Sequence, residues 1–477
     1  MPSNALRLTV APATGPLAEA LASIPASLGI VRDFSPAAMA EAEAAAARPS
    51  LPEADATDVP FVTIDPSGSL DLDQAMYLER HGTGESAGYR VRYAIADVPS
   101  FVRPGGALDA AARERGQTIY APDGRIPLHP LILSEGAASL LPGQVRSAFV
   151  WDMLLDADAN LRSTTVARAR VRSTARLDYL GVQAQIDAGT ADANLALLKE
   201  IGLKRIALEI ARGAANLTLP ESEVNEVGAG YQIVRRQPQP VEDWNAQLSL
   251  LTGMAAANLM IGAKVGILRT MPPPDQGAID RFRRQTIALG RPWPERQAYG
   301  EYLRSLDTTD PRQLAIMHAA ASLFRGAGYT AFDGSVPEGL TQAAVGASYA
   351  HTTAPLRRLV DRFVLAVCEA VSAGTDIPAW ARRSLPALPA LMEHSSGITS
   401  QFEHRALDMV EAALLNTRVG EVFDATVISI SKTGGSIQVA EPAVSAHCTG
   451  DLVAGEVIRA RLLQADIATG TTLFERA

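Results

Sequence analysis

The sequence predicts a multidomain α+β protein. A short N-terminal helical segment precedes a large middle domain, a β-sheet surrounded by helices, and an OB-fold β-barrel closes the chain. Three observations carry this reading. At 477 residues the chain exceeds what one hydrophobic core supports. Strand-type alternation gathers in residues 61–102 and 148–174, whereas 191–415 reads as mainly helical. Residues 419–477 then return to short alternating strands, the pattern of a small barrel.

Residues 1–50 form the first unit. Leu17, Leu21 and Ile24 recur at helical spacing over Pro16–Ser27. A second helix follows Ser35, a good N-cap with Pro36 in the first helical position, and runs through the Ala/Glu-rich AAMAEAEAAAAR. Such a pair is either a small helix-turn-helix or a packing element on a larger domain. Pro49, Pro52 and Pro60 mark a linker.

The middle domain spans 55–415. FVTI (61–64) opens it as a strand, and GYRVRYAIADVPSFV (88–102) supplies another. LDAAARERG (108–116) is a helix stopped by Gly116. Residues 118–143 are loop-rich, and 148–174 hold two strands. The helical stretch is broken by QPQP (237–240), MPPP (271–274) and a Gly-rich loop at 334–346. In SYAHTTAPLRRLVDRF (348–363), Pro355 marks a helix N-terminus where backbone amides and arginine forks suit a phosphate. The plainer reading there is a solvated face with an Arg357–Asp361 pair. Residues 418–477 are the barrel, in which Lys432, Arg459 and Arg461 are candidate phosphate contacts.

Composition narrows the class. Hydrophobic content of 47% and charged content of 20% describe an ordinary globular protein. A net charge of −9 with pI near 5.4 argues against a broad basic surface and leaves room for a local basic groove. Aromatics at 5% leave few stacking platforms. Cys368 and Cys448 stand far apart, which fits a reducing, cytoplasmic location and no disulfide framework. No signal peptide and no membrane span are expected.

The chemistry concentrates in FVTIDPSGSLDLDQAM (61–76), where Asp65, Asp71 and Asp73 fall within nine residues. Asp71 and Asp73 alternate with Leu70 and Leu72, so an extended segment aims both carboxylates to one face. A turn through Pro66, Ser67, Gly68 and Ser69 brings Asp65 back toward them. Crowded carboxylates are costly without a cation, and oxygen donors without His or Cys suit Mg²⁺ or Mn²⁺. Such a site serves phosphoryl chemistry. The plain alternative is a solvated turn, and the spacing is not that of an EF-hand.

Taken together, these motifs resemble the RNB family of exoribonucleases, the ribonuclease II and ribonuclease R group. FVTIDPSGSLDLDQAM is similar to the family signature. The likeness continues through AIADVPSFV, RGQTIYAPDGRIPLHPLILSEGAASLLPG, MAAANLM (254–260) and YAHTTAPLRRLVDR. The resemblance implies a processive 3′→5′ exoribonuclease that hydrolyses single-stranded RNA to nucleoside 5′-monophosphates with Mg²⁺, or Mn²⁺, at an acidic cluster. By motif, Asp65, Asp71 and Asp73 are the acidic positions, Arg357 the arginine that clamps the terminal phosphate, and Tyr120 the tyrosine that stacks near the 3′ end. Glu403 matches a glutamate near the terminal nucleotide. Arg358 and Lys432 complete the expected RNA contacts. A monomer without an obligate protein partner is expected.

Three departures stand out. Gln74 replaces the fourth acidic residue; its amide oxygen can ligate a metal but carries no charge. The arginine motif reads Thr353-Ala354-Pro355-Leu356-Arg357-Arg358-Leu359, without the family's hydroxyl and aromatic. Only a helix pair precedes the middle domain, where relatives often carry cold-shock domains, which implies a more open entry for RNA. The rival readings are a catalytically weak RNA-binding protein, supported by Gln74, and a phosphodiesterase for another substrate.

Overall fold

The computed structural model describes residues 7–8, 15–84, 87–215, 221–227, 230–236, 238–431, 433–439, 441–442 and 444–477. Its centre is a closed barrel of five strands rather than an open sheet. These are β1 (Phe61–Asp65), β2 (Gln74–His81), β3 (Gly88–Ala96), β4 (Val145–Asp156) and β5 (Leu161–Asp178). Neighbours along the chain pair antiparallel, and β1 closes the ring by pairing parallel with β5, Ile64 opposite Leu177. Alternation explains the sidedness. In β3, Tyr89, Val91 and Tyr93 are buried while Arg90 and Arg92 face outward to Asp152 and Glu79.

Helices pack around this barrel. α1 (Pro16–Ser27) buries Leu17, Leu21 and Ile24 in a cluster with Phe402, Met409 and Val410. α2 (Pro36–Ala47) is capped by Ser35, whose hydroxyl accepts from the Ala38 amide at 3.2 Å. Its small face, Ala38 and Ala42, lies against α3 (Ala107–Arg115). Both N-terminal helices are thus packed onto the larger body. Gly116 ends α3 with φ 69°.

α4 (Pro240–Ala263) is, by length and composition, apolar enough to cross a bilayer. Here just over half of its most apolar stretch is buried, in the same core as the barrel residues Tyr93 and Trp151. α5 (Leu359–Ala373) packs on α4 and β5, and α6 (Leu388–Leu415) runs between the middle body and the C-terminal barrel.

That second closed barrel comprises β6 (Val422–Ser431), β7 (Gly434–Val439), β8 (Ser445–Thr449), β9 (Val457–Asp466) and β10 (Thr471–Arg476), in the order β6-β7-β8-β10-β9. Its core joins α6 and α1 in one hydrophobic cluster. Cys368 and Cys448 are free and buried.

Residues 191–415 are mainly helical, as expected. This region also holds paired strands at Glu221–Val227 and Gly230–Arg236, and at Val265–Thr270 and Gly328–Asp333. The second pair joins segments separated by two helices and more, so no local turn signal announces it. The expected helix start at Pro355 is displaced: α5 begins at Leu359, and Pro355–Arg357 form a turn before it.

Candidate active site

Asp65 ends β1, and the turn Pro66–Ser69 reverses the chain, with the Ser69 amide donating to the Pro66 carbonyl at 3.1 Å. Gly68 takes φ 82° there, a conformation that favours glycine. The return segment is not a regular strand. Ser139 and Leu140 satisfy its backbone instead: the Ser139 hydroxyl donates to the Leu70 carbonyl at 2.6 Å and accepts from the Leu72 amide at 3.0 Å. The Leu140 amide donates to the Leu72 carbonyl at 3.0 Å. Leu72 is fully buried, but Leu70 is 39% exposed, so only one leucine anchors the segment.

Asp73 is almost wholly buried, and its Oδ1 accepts from the Leu356 amide at 2.8 Å. Arg357 Nε lies 3.8 Å from Asp73 Oδ2. The arginine turn is held from below. Asp361, fully buried on α5, accepts from the Ala354 amide at 2.7 Å and from Arg358 through both carboxylate oxygens, at 2.8 and 2.9 Å. Thr353 shares a 2.7 Å hydroxyl hydrogen bond with Ser249 of α4. The Thr118 amide donates to the Arg357 carbonyl at 3.0 Å.

Arg358, expected to contact RNA, is therefore committed to Asp361, whereas its neighbour Arg357 reaches Asp73. The ion pair of this segment is Arg358–Asp361 rather than Arg357–Asp361.

Asp71 faces the short hairpin Ile119–Ala121/Gly124–Ile126. Arg125 Nη1 lies 2.9 Å from Asp71 Oδ1, and the Tyr120 hydroxyl is 3.5 Å from Oδ2. Arg125 also pairs with Glu135. Sequence reasoning missed Arg125 and Glu135, although both stand inside the quoted 115–143 motif; nothing in their spacing distinguishes them from surface charges.

The electrostatics are those of crowded, desolvated acids. Burial pushes the Asp65 carboxyl up to about 7, against the pull of Arg357 and with a further push from Asp71. Burial likewise raises Asp73 well above the usual range, opposed by Arg357 and the Leu356 amide and reinforced by Asp71 and Asp361. Tyr179, on the helical turn after β5, is pushed up to about 12 by burial and by Asp65, and Asn245 reaches both its hydroxyl and the Ile64 carbonyl at 3.5 Å.

Gln74 opens β2, and its Oε1 accepts from the buried Tyr93 hydroxyl, which commits one of its two lone pairs. Among the described residues, no three His, Cys, Asp or Glu side chains converge tightly enough to cage a metal. Asp71 is turned to Arg125 instead. The donor chemistry still fits a hard cation: oxygen only, from carboxylates that push one another's protonation upward.

The other expected RNA contacts lie elsewhere. Glu403 is half-buried on α6 and is raised by burial, with His404 opposing. Lys432 lies outside the described residues. Arg459 and Arg461 sit in exposed pairs with Asp424 and Glu475 at 3.5 and 3.8 Å.

Comparison with known proteins accounts for this architecture. Residues 53–373 match the RNB domain, and residues 421–477 match the RNase II-type exonuclease C-terminal S1 domain. The chain belongs to the RNB family. This RNB protein is 27% identical to ribonuclease R of Escherichia coli over 408 residues, covering 80% of the chain and 49% of that relative. It thus spans about half the length of the curated relatives it matches. Its fold matches that of Mycoplasma genitalium RNase R solved in complex with ribose methylated single-stranded RNA: TM-score 0.84, 18% identity, 97% of this chain and 78% of the other. Yeast Ssd1, a pseudonuclease, matches with TM-score 0.71 at 16% identity, over 93% of this chain and 58% of the other.

Proposed function

We propose that this RNB protein is a processive 3′→5′ exoribonuclease that hydrolyses single-stranded RNA to nucleoside 5′-monophosphates. The observation that carries the reading is the junction of its two most distant motifs. The Leu356 amide seats on Asp73 across 283 residues of sequence and places Arg357 beside the same carboxylate. An acid cluster with a half-exposed guanidinium at its rim suits a phosphodiester: carboxylates on one side, a cationic fork for the phosphoryl oxygens on the other.

Asp65, Asp71 and Asp73 would hold Mg²⁺, or Mn²⁺, with Gln74 contributing its remaining lone pair. When bound, the cation polarises the phosphate and lowers the pKa of a water. Arg357 binds the phosphoryl oxygens and stabilises the charge that grows on them. Asp361 and Ser249 keep its loop in place. Tyr120, half-buried beside Asp71, offers a ring face to the last nucleotide. The protein works as a monomer in the cytoplasm in this reading.

Gln74 and the fold shared with a pseudonuclease favour a second reading, a catalytically weak RNA-binding protein. One experiment separates them. A 5′-labelled single-stranded RNA a few tens of nucleotides long is incubated in Mg²⁺, Mn²⁺ and EDTA with the protein and with Asp73→Asn. Metal-dependent appearance of a short end product, lost in the variant while RNA binding persists, supports the nuclease. Binding without cleavage in either metal supports the second reading.

A further inference from the structure

Asp71 is the carboxylate that couples the cluster, since it pushes on both Asp65 and Asp73. It is also the one of the three that a guanidinium contacts at hydrogen-bond distance, 2.9 Å from Arg125. Arg125 is held by two acids at once, Asp71 and Glu135. Its hairpin is fixed at the base: Ile119, Ala121 and Ile126 are buried in the cluster formed by α6 and the C-terminal barrel. The arginine side chain itself keeps 28% exposure, so it can move while its backbone stays.

We propose that Arg125 is a displaceable counter-ion of Asp71, a positioning residue that sets how tightly the acidic cluster takes a divalent cation. The proposal rests on the exoribonuclease reading only for the assumption that this cluster takes a metal. A guanidinium and a divalent cation compete for the same carboxylate oxygen, because both are positive and bind within about 3 Å of it. Arg125 occupies Asp71 Oδ1 at 2.9 Å, and among the described residues no three carboxylates form a cage. Glu135 supplies the second seat. On leaving Asp71, Arg125 keeps one partner and is not stranded as an unpaired, half-buried charge.

The test is direct Mn²⁺ binding to the full, metal-stripped chain, read from the electron paramagnetic resonance signal of free Mn²⁺. Arg125→Gln removes the competing charge and is expected to bind Mn²⁺ about tenfold more tightly. Glu135→Gln removes the second seat, drives Arg125 onto Asp71 and is expected to bind more weakly. Arg125→Lys keeps the charge and stays near wild type, which also controls for folding. A merely structural arginine would not move the two charge-removing variants in opposite directions. Equal or weaker binding by Arg125→Gln, or a shift of both variants in one direction, overturns the proposal. If wild type cleaves RNA in Mn²⁺ while the affinities stay equal, only this proposal fails. If no variant and no wild type binds Mn²⁺ or cleaves, the exoribonuclease reading fails with it.

Discussion

Asp361→Asn tests what holds the arginine turn. The carboxylate is fully buried and serves three donors, the Ala354 amide and two nitrogens of Arg358, at 2.7 to 2.9 Å. An asparagine keeps one acceptor oxygen and presents an NH₂ donor to groups that are themselves donors and cannot accept from it. Arg358 is left largely buried, 22% exposed, without its counter-ion. Removing one partner of a buried pair costs roughly 3–5 kcal/mol, and the residual exposure of Arg358 puts this case near 3. That is about a hundredfold in the local opening equilibrium. The assay is hydrogen–deuterium exchange of peptides covering 350–363, which include the Ala354 and Leu356 amides. Exchange there is expected to accelerate about a hundredfold, with β1 to β5 unchanged. Exchange within threefold of wild type would refute the argument that Asp361 pins the turn.

Other outcomes follow from the same electrostatics. In EDTA, Asp65 rises from its ordinary 3.8 to about 7 on folding, so the folded state holds an extra proton between these values. Stability is therefore expected to fall as pH rises through that window, and Asp65→Asn to flatten the slope; parallel melting profiles would contradict this. Gln74→Asp adds the missing charge and keeps an acceptor for Tyr93; a metal titration is expected to show tighter binding, and no gain would sink the point. Glu411, on α6 against the C-terminal barrel, is pushed up to about 8 by burial and by Asp408, against the Ser445 amide. Wild type is expected to lose more stability from about pH 4.5 to 8 than Glu411→Gln, so the variant melts higher above pH 8. Coincident melting curves there would refute it.

Much of this fold was legible in local chemistry. Ser35-Pro36 starts a helix because a hydroxyl and a ring without an N–H suit a helix N-terminus. Gly116 stops one because only glycine takes its φ without strain. The alternation of 88–96 marked a half-buried strand, though not that the ring of strands closes, since closure depends on the β1–β5 pairing. The helix start was misplaced to Pro355 for a tertiary reason: Asp361 takes the Ala354 amide and holds the following residues in a turn. In the site, Asp65, Asp71, Asp73 and Arg357 carried a motif that could be read. Arg125 and Glu135 stand in a motif without a spacing that marks them, and only the folded chain brings Arg125 to Asp71, Tyr93 to Gln74 and Asn245 to the Ile64 carbonyl.

The burial of α1 has a consequence for biosynthesis. Leu17, Leu21 and Ile24 leave the ribosome long before Phe402, Met409 and Val410, which cover them. At usual translation speeds that apolar stripe waits on the order of tens of seconds for its cover. The helix is a latch that shuts long after it is made. Until α6 emerges, its exposed face is a target for a holding chaperone and a place where two nascent chains can stick together.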